Sequence, residues 1–420
     1  MKIIHTADFH FREKDYFEIK KCVDFIVDYA FKNPPDLFVI SGDITDSRFL
    51  DLDTRSSRAI FTIVNQMLDL APVAIVCGTY SHEGKSPLAL RSCRGRFPIL
   101  VSDLPEQYGY VRGHDDIDVF RGEWMTLEEI RRDDFVPSFI ISQIPQPTKQ
   151  YFVNQLSIMD TDKAISTAMD SIFTSFGSVV DDFDSVVPHI VNGHGQIGGA
   201  FISETQQLIG VDIEVSKAQL MSLNADLVCY GHIHKAQAMG DGIFYAGSPT
   251  RMNHGETEDK GFYVHDVNFD RFAADGGTKA FCVLDLKSDF IKTPAIYLHN
   301  AKLDNTKDGC HAPGVDIMDT IKMICDVVSI DHDEWGIKIT ITAWQDEAKN
   351  INQAEIERVV LDLGAERVKV SIIRKPRETV RSEKVLEADT LPDKLIAMAE
   401  MRGETVQESI LEKARMVEAG

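Results

Sequence analysis

The chain has few cysteines, and their placement excludes two common uses of this residue. Its 420 residues include seven cysteines, an odd number scattered along the sequence without a Cys-x-x-Cys pair. A disulfide framework needs paired cysteines, and a thiolate zinc site needs them at short spacing. We therefore expect reduced thiols and a cytoplasmic location.

Long hydrophobic runs are also absent. No apolar stretch approaches the roughly 20 residues that a membrane-spanning helix needs. The N-terminal residues 1–5 read MKIIH and open directly into a predicted strand, without the charged and then apolar layout of a signal peptide. We expect no association with a membrane.

The sequence is poor in positive charge. It contains 44 basic against 66 acidic residues, which gives a formal net charge of −22. Taken alone, this balance argues against a broad nucleic-acid-binding surface, which normally carries a basic patch. It does not exclude a nuclease, because bound divalent cations add positive charge that residue counts omit. A partner protein could also supply the contacts to phosphate.

Two well-known hydrolase motifs are missing. The sequence contains neither the GxSxG motif of serine hydrolases nor the GxxxxGK[ST] phosphate loop of ATPases. We therefore expect no serine nucleophile and no ATP hydrolysis by this chain.

What the sequence does contain is a series of five short clusters rich in carboxylate and imidazole side chains. Each cluster directly follows a short apolar run that predicts a buried strand, and this repetition places the clusters along one edge of a sheet. A single cluster of this kind also fits ordinary loop residues. Five clusters that each directly follow a predicted strand do not. The clusters are Asp8-Phe9-His10, Gly42-Asp43, Ser81-His82, Gly193-His194 and Gly231-His232-Ile233-His234.

The residue types in these clusters predict a metal centre. Asp8 and His10 alternate outward from one strand end, so both can face one cation. Asp43 follows a glycine that allows a sharp turn, and its two carboxylate oxygens can bridge two cations. His232 and His234 form an imidazole pair that packing alone rarely explains. Ligands of this kind without thiolates favour Mn, Fe or Zn, and five converging strand ends predict a dinuclear centre.

The pattern along the chain predicts three parts. Residues 1–275 alternate apolar strands with helical stretches, which is typical of an α/β domain. Residues 276–376, including a strand predicted over Phe281–Leu286, read as a small α+β domain without a metal-type cluster. Residues 377–420 predict a linker followed by two short amphipathic helices.

The two C-terminal helices carry apolar residues that we expect to be exposed, far from any predicted core. A helical hairpin of this kind is typical of a docking element, and packing back onto the small domain is the alternative. The candidate docking residues are Leu395, Ile396, Met398, Ile410 and Leu411.

In their order, the five clusters resemble the motifs of the calcineurin-like metallophosphoesterase superfamily. Residues 244–251 (FYAGSPTR) and 258–262 (EDKGF) are similar to its DNA-repair branch, the nuclease subunits of bacterial SbcCD complexes and their archaeal and eukaryotic counterparts. The motifs cover residues 8–262, whereas the rest of the chain matches only in the order and size of its parts. The resemblance implies an α/β fold: a two-sheet metallophosphoesterase sandwich flanked by helices, with a small α+β capping domain and a C-terminal helical hairpin.

The resemblance also implies ligands for two divalent cations, with Mn²⁺ in first place and Mg²⁺, Fe²⁺ or Zn²⁺ as alternatives. Asp43 would bridge the two cations. The first cation would be held by Asp8, His10, Asp43 and His234, and the second by Asp43, His194 and His232.

The third motif departs from the family pattern. The family usually has Gly-Asn-His-Asp, in which Asn is a metal ligand and His acts as an acid. Here residues 78–84 read GTYSHEG, so the Asn is absent and two residues are inserted before the histidine. By resemblance His82 is the catalytic imidazole. The missing ligand could be replaced by Ser81, Thr79, water or His82 itself.

The resemblance implies a metal-dependent DNA exonuclease and endonuclease, which forms a repair complex with an SbcC-like coiled-coil ATPase. It further implies DNA as a partner and a homodimer, for which residues 54–70 are the candidate surface, with ordinary core packing as the alternative. Two other functions stay open: a small-molecule phosphatase or cyclic-nucleotide phosphodiesterase, and a non-catalytic assembly protein. The small domain and the hairpin favour the nuclease, because a small-molecule enzyme has little use for them.

Overall fold

The computed structural model of the chain describes most of its 420 residues. The predicted linker that begins at residue 377 lies largely outside the described residues. The described residues are 1–113, 122–149, 151–155, 157, 162–183, 187–203, 206, 213–273, 280–306, 316–376, 385, 387–401 and 403–419.

The first of two large sheets has six strands in the order β13-β12-β1-β2-β3-β4. Strands β1 to β4 run parallel to one another, and β12 pairs antiparallel with both β1 and β13. The strands are β1 (Lys2–Thr6), β2 (Leu37–Ile40), β3 (Val73–Val76), β4 (Ile99–Ser102), β12 (Gly261–Ala273) and β13 (Ala280–Lys292).

The second large sheet has seven strands in the order β10-β11-β9-β8-β7-β5-β6. Its central strands β7, β8, β9 and β11 are parallel, and the outer strands pair antiparallel. The strands are β5 (Glu106–Val111), β6 (Glu123–Thr126), β7 (Phe139–Ile144), β8 (His189–His194), β9 (Leu227–Gly231), β10 (Gln237–Gly240) and β11 (Ile243–Tyr245).

The described residues contain nine α-helices and a few short helices of other types. The α-helices are α1 (Tyr16–Lys32), α2 (Arg55–Leu68), α3 (Leu127–Arg132), α4 (Asp162–Val180), α5 (Lys217–Met221), α6 (Ile317–Asp331), α7 (Gln353–Asp362), α8 (Leu391–Met401) and α9 (Glu408–Ala419). A π-helical turn covers Tyr151–Gln155, and short 3-10 helices cover Glu13–Asp15, Ser86–Ser92 and Ala348–Asn350.

The two large sheets pack face to face over a shared core. Successive residues of a strand point to opposite faces, so every second residue of each central strand enters this core. Leu37 and Val39 of β2 join Ile141 of β7, Ile190 of β8 and Cys229 of β9 there, all fully buried. Each fully buried aliphatic side chain contributes about 1.5–3 kcal/mol to stability.

The outer face of each sheet is covered by helices. Phe38 and Ile40, the other residues of β2, pack with the apolar sides of α1 and α2. On the second sheet, Val191 and Val228 pack with α4 and α5. Because both faces of the central strands are covered, these strands read as unbroken apolar runs. The predicted α/β fold class with two sheets flanked by helices is confirmed.

Helix α2 lies within the stretch that the sequence offers as a homodimer surface. Its first turn is capped by Thr54, whose hydroxyl accepts a hydrogen bond from the backbone N–H of Ser57. Its apolar residues Ile60, Ile63 and Val64 are buried in the core of the first sheet. The apolar face of this helix is therefore used for core packing.

The chain divides into two compact units. The first comprises Met1–Asn300, Cys325–Lys338 and Gly364–Arg367, and the second comprises Ala301–Ile324, Ile339–Leu363 and Val368–Gly420. A three-stranded sheet of order β14-β15-β16 follows the large sheets along the chain. Its strands are β14 (Tyr297–Asp304), β15 (Trp335–Trp344) and β16 (Arg367–Lys375). The division into 1–275, 276–376 and 377–420 stays a prediction.

One strand has a different place from the one expected. The sequence pattern predicts a strand over Phe281–Leu286 in the small domain, whereas these residues belong to β13 of the first sheet. Strand β13 pairs with β12 along its whole length, from Gly261 opposite Lys292 to Ala273 opposite Ala280. Both strands are thirteen residues long, and the sequence pattern gives no sign of this extension.

The C-terminal helices α8 and α9 contact each other as a hairpin. Leu411 was expected to be exposed as a docking residue, but it is buried, with 7% of its surface exposed. Ile396, Met398 and Ile410 are exposed, and Leu395 is half-buried. Among the described residues, no helix is both long and apolar enough to cross a membrane.

Candidate metal centre

The five predicted clusters meet at one edge of the two sheets. Parallel strands end on the same edge of a sheet, and the clusters follow β1, β2 and β3 of the first sheet and end or follow β8 and β9 of the second. The structure brings Asp8, His10 and His234 into one group and Asp43, His194 and His232 into another. Within each group, one potential ligand atom per residue lies within 4.8 Å of the others.

Four of these six residues have a strained backbone. Their φ angles are 55° for Asp8, 49° for His10, 52° for Asp43 and 98° for His232. Non-glycine residues rarely adopt positive φ, and such conformations cluster at functional sites where the surrounding structure holds them. In the described part of the chain, eight non-glycine residues have a positive φ, and four of them are these candidate ligands.

Two glycines allow the loops of the centre to approach each other closely. Gly42 has φ +80°, and a Cβ on it would lie 2.5 Å from Nδ1 of His194. A Cβ on Gly78 would lie 2.2 Å from Oδ1 of Asp43. Any larger residue would displace one of these side chains, so both positions require glycine.

The group of Asp8, His10 and His234, here called the first half of the centre, has ring nitrogens that face each other. Nε2 of His10 and Nε2 of His234 lie 3.1 Å apart. The carboxylate of Asp8 accepts the backbone N–H of His232 at 2.9 and 3.1 Å. This hydrogen bond ties the end of β1 to the end of β9.

Carboxylates lie behind both imidazoles of the first half. Oδ1 of Asp46 lies 2.6 Å from Nδ1 of His10, and Oε1 of Glu256 lies 3.5 Å from Nδ1 of His234. Each carboxylate forms an ion pair with a basic side chain. Arg12 contacts Asp46 at 3.0 Å, and Lys260 contacts Glu256 at 2.7 Å. A carboxylate behind a ligand imidazole fixes its tautomer and raises its basicity.

The group of Asp43, His194 and His232, here called the second half, is built differently. Oδ2 of Asp43 lies 3.3 Å from Nε2 of His194. Nδ1 of His194 lies 2.7 Å from the backbone carbonyl oxygen of Ser41, and this carbonyl can only accept. Nδ1 therefore carries the proton, and Nε2 faces the centre as the available donor of an electron pair.

The two candidate replacements for the missing amide ligand occupy different places. The hydroxyl of Thr79 lies 2.9 Å from Oδ2 of Asp43, 3.2 Å from Nε2 of His194 and 3.4 Å from Nδ1 of His232. Ser81 is exposed, and its carbonyl accepts a hydrogen bond from Arg48 at 3.0 Å. Thr79 thus contacts every member of the second half, whereas Ser81 faces solvent.

His82 lies at the mouth of the centre. Its Nε2 is 3.0 Å from Oδ2 of Asp43, and about a third of its side chain is exposed. Its ring centroid lies 5.2 Å from that of His10. His82 is therefore close enough to contact a substrate held by the centre and open enough to be reached by one.

Glu83 was not identified from the sequence, yet it connects the loops after β2 and β3. Its carboxylate accepts backbone N–H groups from Gly78 at 2.5 Å, Ile44 at 2.6 Å and Asp43 at 3.2 Å. Burial and the nearby charge of Asp43 raise the pKa of Glu83 to about 7, although these hydrogen bonds act in the opposite direction. The sequence offers no signal for it beyond its place next to His82.

The electrostatics of the centre favour cations. Burial alone lowers the pKa of His10 and of His194. Asp46, Asp43 and Asp8 raise the pKa of His10 to about 9, and Asp43 and Asp8 raise that of His194 to about 9. Burial would raise the pKa of Asp43, yet the surrounding imidazoles hold it well below its usual range. The buried carboxylates thus draw positive charge into the centre.

The donors of the two halves fit a pair of divalent cations. They comprise two carboxylates and four imidazoles, buried or nearly so, with an additional hydroxyl from Thr79. Oxygen and imidazole donors suit Mn²⁺, Fe²⁺ or Zn²⁺. Asp43 lies between the halves, since its Oδ2 is 3.3 Å from His194 and 3.8 Å from His10.

A third group of potential ligands lies inside the core between the sheets. It consists of His5, Cys229 and His265, all fully buried. Nδ1 of His5 and Nε2 of His265 are 3.5 Å apart, and Ser41 and Ser288 contact their other ring nitrogens at 3.1 and 2.7 Å. These side chains form a buried hydrogen-bonded chain behind the centre.

The sequence also matches known proteins. A family model described as "Calcineurin-like phosphoesterase" matches residues 1–236. The D subunit of the nuclease SbcCD from Escherichia coli strain K12 is 22% identical over 289 residues, which are 64% of this chain and 65% of that protein. The protein of the same name from Escherichia coli O157:H7 gives the same figures. The chain therefore matches slightly less than two thirds of the length of these relatives.

Among solved structures, the chain is similar to a dimetal phosphatase from Danio rerio. The sequence identity is 12%, the TM-score is 0.36, and the match covers 68% of this chain and 98% of that one.

Proposed function

The chain belongs to the calcineurin-like phosphoesterase family, whose members are metal-dependent hydrolases with a dinuclear site, and from this premise we propose that it is a DNA nuclease. It would cleave phosphodiester bonds as the nuclease component of an ATPase–nuclease repair complex. The observation that carries the hydrolytic part is the convergence of six carboxylate and imidazole donors in two groups beside Asp43. The match to the D subunit of the nuclease SbcCD supports the choice of DNA as substrate.

In this proposal each half of the centre holds one cation. Asp8, His10 and His234 would hold the first, His194 and His232 would hold the second, and Asp43 would be shared by both. Thr79 takes the place of the amide ligand, because its hydroxyl is the polar group that reaches all three residues of the second half. We expect Mn²⁺ in the cell, since the donor set combines hard oxygens with imidazoles.

When bound, two cations lower the pKa of a water molecule and neutralise the charge that grows on the phosphate. The chain itself holds the ligands in the orientation this requires. Asp46 fixes the ring of His10, and the carbonyl of Ser41 fixes that of His194. Glu83 holds the loops that carry Asp43 and Thr79 at a constant separation.

His82 would protonate the leaving sugar oxygen. Its position supports this role, because its Nε2 is 3.0 Å from Asp43 while about a third of its side chain stays open to solvent. A general acid of this kind contributes roughly 100- to 10,000-fold to the rate. The alternative, in which His82 replaces the missing amide as a ligand, predicts a loss of bound metal when His82 is removed.

The partner of the nuclease would be a coiled-coil ATPase that docks on the C-terminal hairpin. Ile396, Met398 and Ile410 are exposed there, which supports a docking surface, whereas the buried Leu411 would hold the hairpin together. The ATPase would also supply the basic surface for DNA that a chain of net charge −22 lacks. We expect this complex in the cytoplasm. Free, buried thiols are in line with this location, and they are found at Cys22, Cys77, Cys93, Cys229 and Cys325.

A homodimer is also part of this proposal. The apolar side of α2 is taken up by the core, so the helix offers a partner only its outer side. Arg55, Arg58 and Thr62 are exposed on that side, and Phe61 is half-buried. The contact would therefore be largely polar.

The test compares four substrates on the full chain loaded with Mn²⁺. They are labelled single-stranded DNA, labelled double-stranded DNA, bis(4-nitrophenyl) phosphate and 4-nitrophenyl phosphate. We expect hydrolysis of DNA that disappears in Asp43→Ala and persists in Asp170→Ala, an exposed aspartate of α4. Hydrolysis of the small esters alone would show a small-molecule phosphatase or phosphodiesterase. Bound metal without any hydrolysis would show a non-catalytic assembly protein.

A further inference from the structure

A cavity of about 270 Å³ lies beside the metal centre. It is formed by the loops after β3, β4 and β7 together with one side of α4, all in the first compact unit. We call it the side cavity. The lining residues that matter most are Tyr80, Gln146, Thr148, Tyr151, Phe152 and Phe173.

One loop contributes to both the side cavity and the metal centre. Gly78 and Tyr80 line the cavity, while Thr79 between them donates its backbone N–H to Oδ1 of Asp43 at 2.6 Å. Gly78 lies so close to Asp43 that a Cβ would clash with its carboxylate. Gly78, which lines the cavity, therefore lies directly against Asp43, the proposed bridging ligand. A group attached to a phosphate at the metal centre would lie within reach of the cavity.

The walls of the side cavity suit a flat, uncharged group. The rings of Tyr151 and Phe152 meet edge to face with centroids 5.2 Å apart. Phe152 and Phe173 are almost completely buried, at 2% exposure each. The charged residues of the lining, Lys85 and Asp103, neutralise each other in an ion pair of 2.6 Å.

Polar groups in the wall could contact the edge of a heterocycle. Gln146 lines the cavity, and its Oε1 accepts the backbone N–H of Tyr80 at 3.2 Å. The hydroxyl of Thr148 accepts the backbone N–H of Tyr151 at 3.2 Å. These two contacts also connect the loop after β7 to the third motif and to the π-helical turn, so the cavity is largely preformed.

We propose that the side cavity binds the nucleobase of the nucleotide whose phosphate is hydrolysed at the metal centre. This inference rests on the proposed function and adds a site for the base to it. Every base has an aromatic face, so stacking on aromatic walls tolerates any sequence. The cavity volume is near the lower end of the roughly 300–1,000 Å³ of small-molecule sites, which fits a group of one or two rings.

The experiment compares two esters that differ only in the base: thymidine 5′-(4-nitrophenyl phosphate) and its base-free deoxyribose analogue. The full chain with Mn²⁺ should favour the thymidine ester in kcat/KM by roughly tenfold or more, the value of stacking one base. In Tyr80→Ala and in Tyr151→Leu, this ratio should fall towards one. The matched control is Phe31→Ala, an exposed aromatic residue of α1, and it should keep the wild-type ratio.

Two results overturn the proposal: a wild-type ratio near one, or a high ratio that survives both cavity variants. If neither ester is hydrolysed, the proposed function fails instead. Calorimetric binding of thymidine 5′-monophosphate and base-free deoxyribose 5-phosphate then tests the cavity on its own. Tighter binding of the nucleotide that is lost in Tyr80→Ala and Tyr151→Leu supports the cavity. Equal binding of both probes contradicts it.

Discussion

The two halves of the metal centre use similar ligands but differ in what lies behind them. In the first half, carboxylates from Asp46 and Glu256 face the outer ring nitrogens of His10 and His234. In the second half, the group behind His194 is neutral, because it is the backbone carbonyl of Ser41. Anionic partners make an imidazole a stronger ligand. The first half should therefore bind its cation more tightly than the second.

The largest expected effect comes from the residue that the two halves share. Asp43→Ala removes the bridging carboxylate, so both halves should lose their cations and turnover should fall by about 1,000-fold or more, near 4 kcal/mol in the barrier. Elemental analysis and hydrolysis of DNA measure the two losses. Asp170→Ala serves as the control. An Asp43→Ala variant that cleaved DNA at a near-normal rate would exclude the dinuclear account.

The next effect separates ligands from the catalytic acid. His82→Ala should lower kcat roughly 100-fold, because the leaving oxygen loses its proton donor, while both cations stay bound. Elemental analysis of the purified variant decides the matter. If one equivalent of metal disappears with the activity, His82 is a metal ligand and not the catalytic acid.

A change behind the first half should weaken that half alone. Asp46→Asn keeps the shape of the side chain but removes its charge, and loss of such a partner lowers metal affinity by roughly 10- to 100-fold. The tighter step of a calorimetric Mn²⁺ titration should move to higher concentration, and the weaker step should stay in place. Movement of the weaker step instead would mean that the halves have been assigned in the wrong order.

The smallest effect concerns the substitute ligand of the second half. Thr79→Val is close in shape but lacks the hydroxyl, and the loss of one such polar contact corresponds to roughly fivefold to tenfold in affinity. Only the weaker step of the titration should move. Thr79→Ser, which keeps the hydroxyl, is the matched control and should retain wild-type affinity. Equal titrations for Thr79→Val and wild type would remove Thr79 from the centre.

The six candidate ligands could be predicted from the sequence because each follows a buried strand, and the structure gathers them into two groups. Repetition at strand ends made this pattern visible. The residues that support them, Asp46, Glu83 and Glu256, were missed, since they are acids in loops with no spacing that marks them. Their roles depend on contacts between loops that are distant in the sequence, such as Glu83 accepting from both Ile44 and Gly78.

The length of strands β12 and β13 likewise could not be predicted from the sequence. Residues 261–273 and 280–292 pair with each other for thirteen residues, but only a short apolar run, Phe281–Leu286, was recognisable as a strand. The remaining residues include many polar side chains, and backbone pairing holds them in the sheet regardless of their type. Leu411 likewise could not be assigned to the interior of the hairpin, because its neighbour Ile410 is equally apolar and is exposed.

The most direct test of the difference between the halves is the position of a single cation. A crystal of the full chain grown with one equivalent of Mn²⁺ should show anomalous scattering beside His10 and His234, with little beside His194 and His232. That result would support tighter binding where carboxylates lie behind the ligands. Equal peaks in both places, or a stronger peak beside His194 and His232, would contradict it.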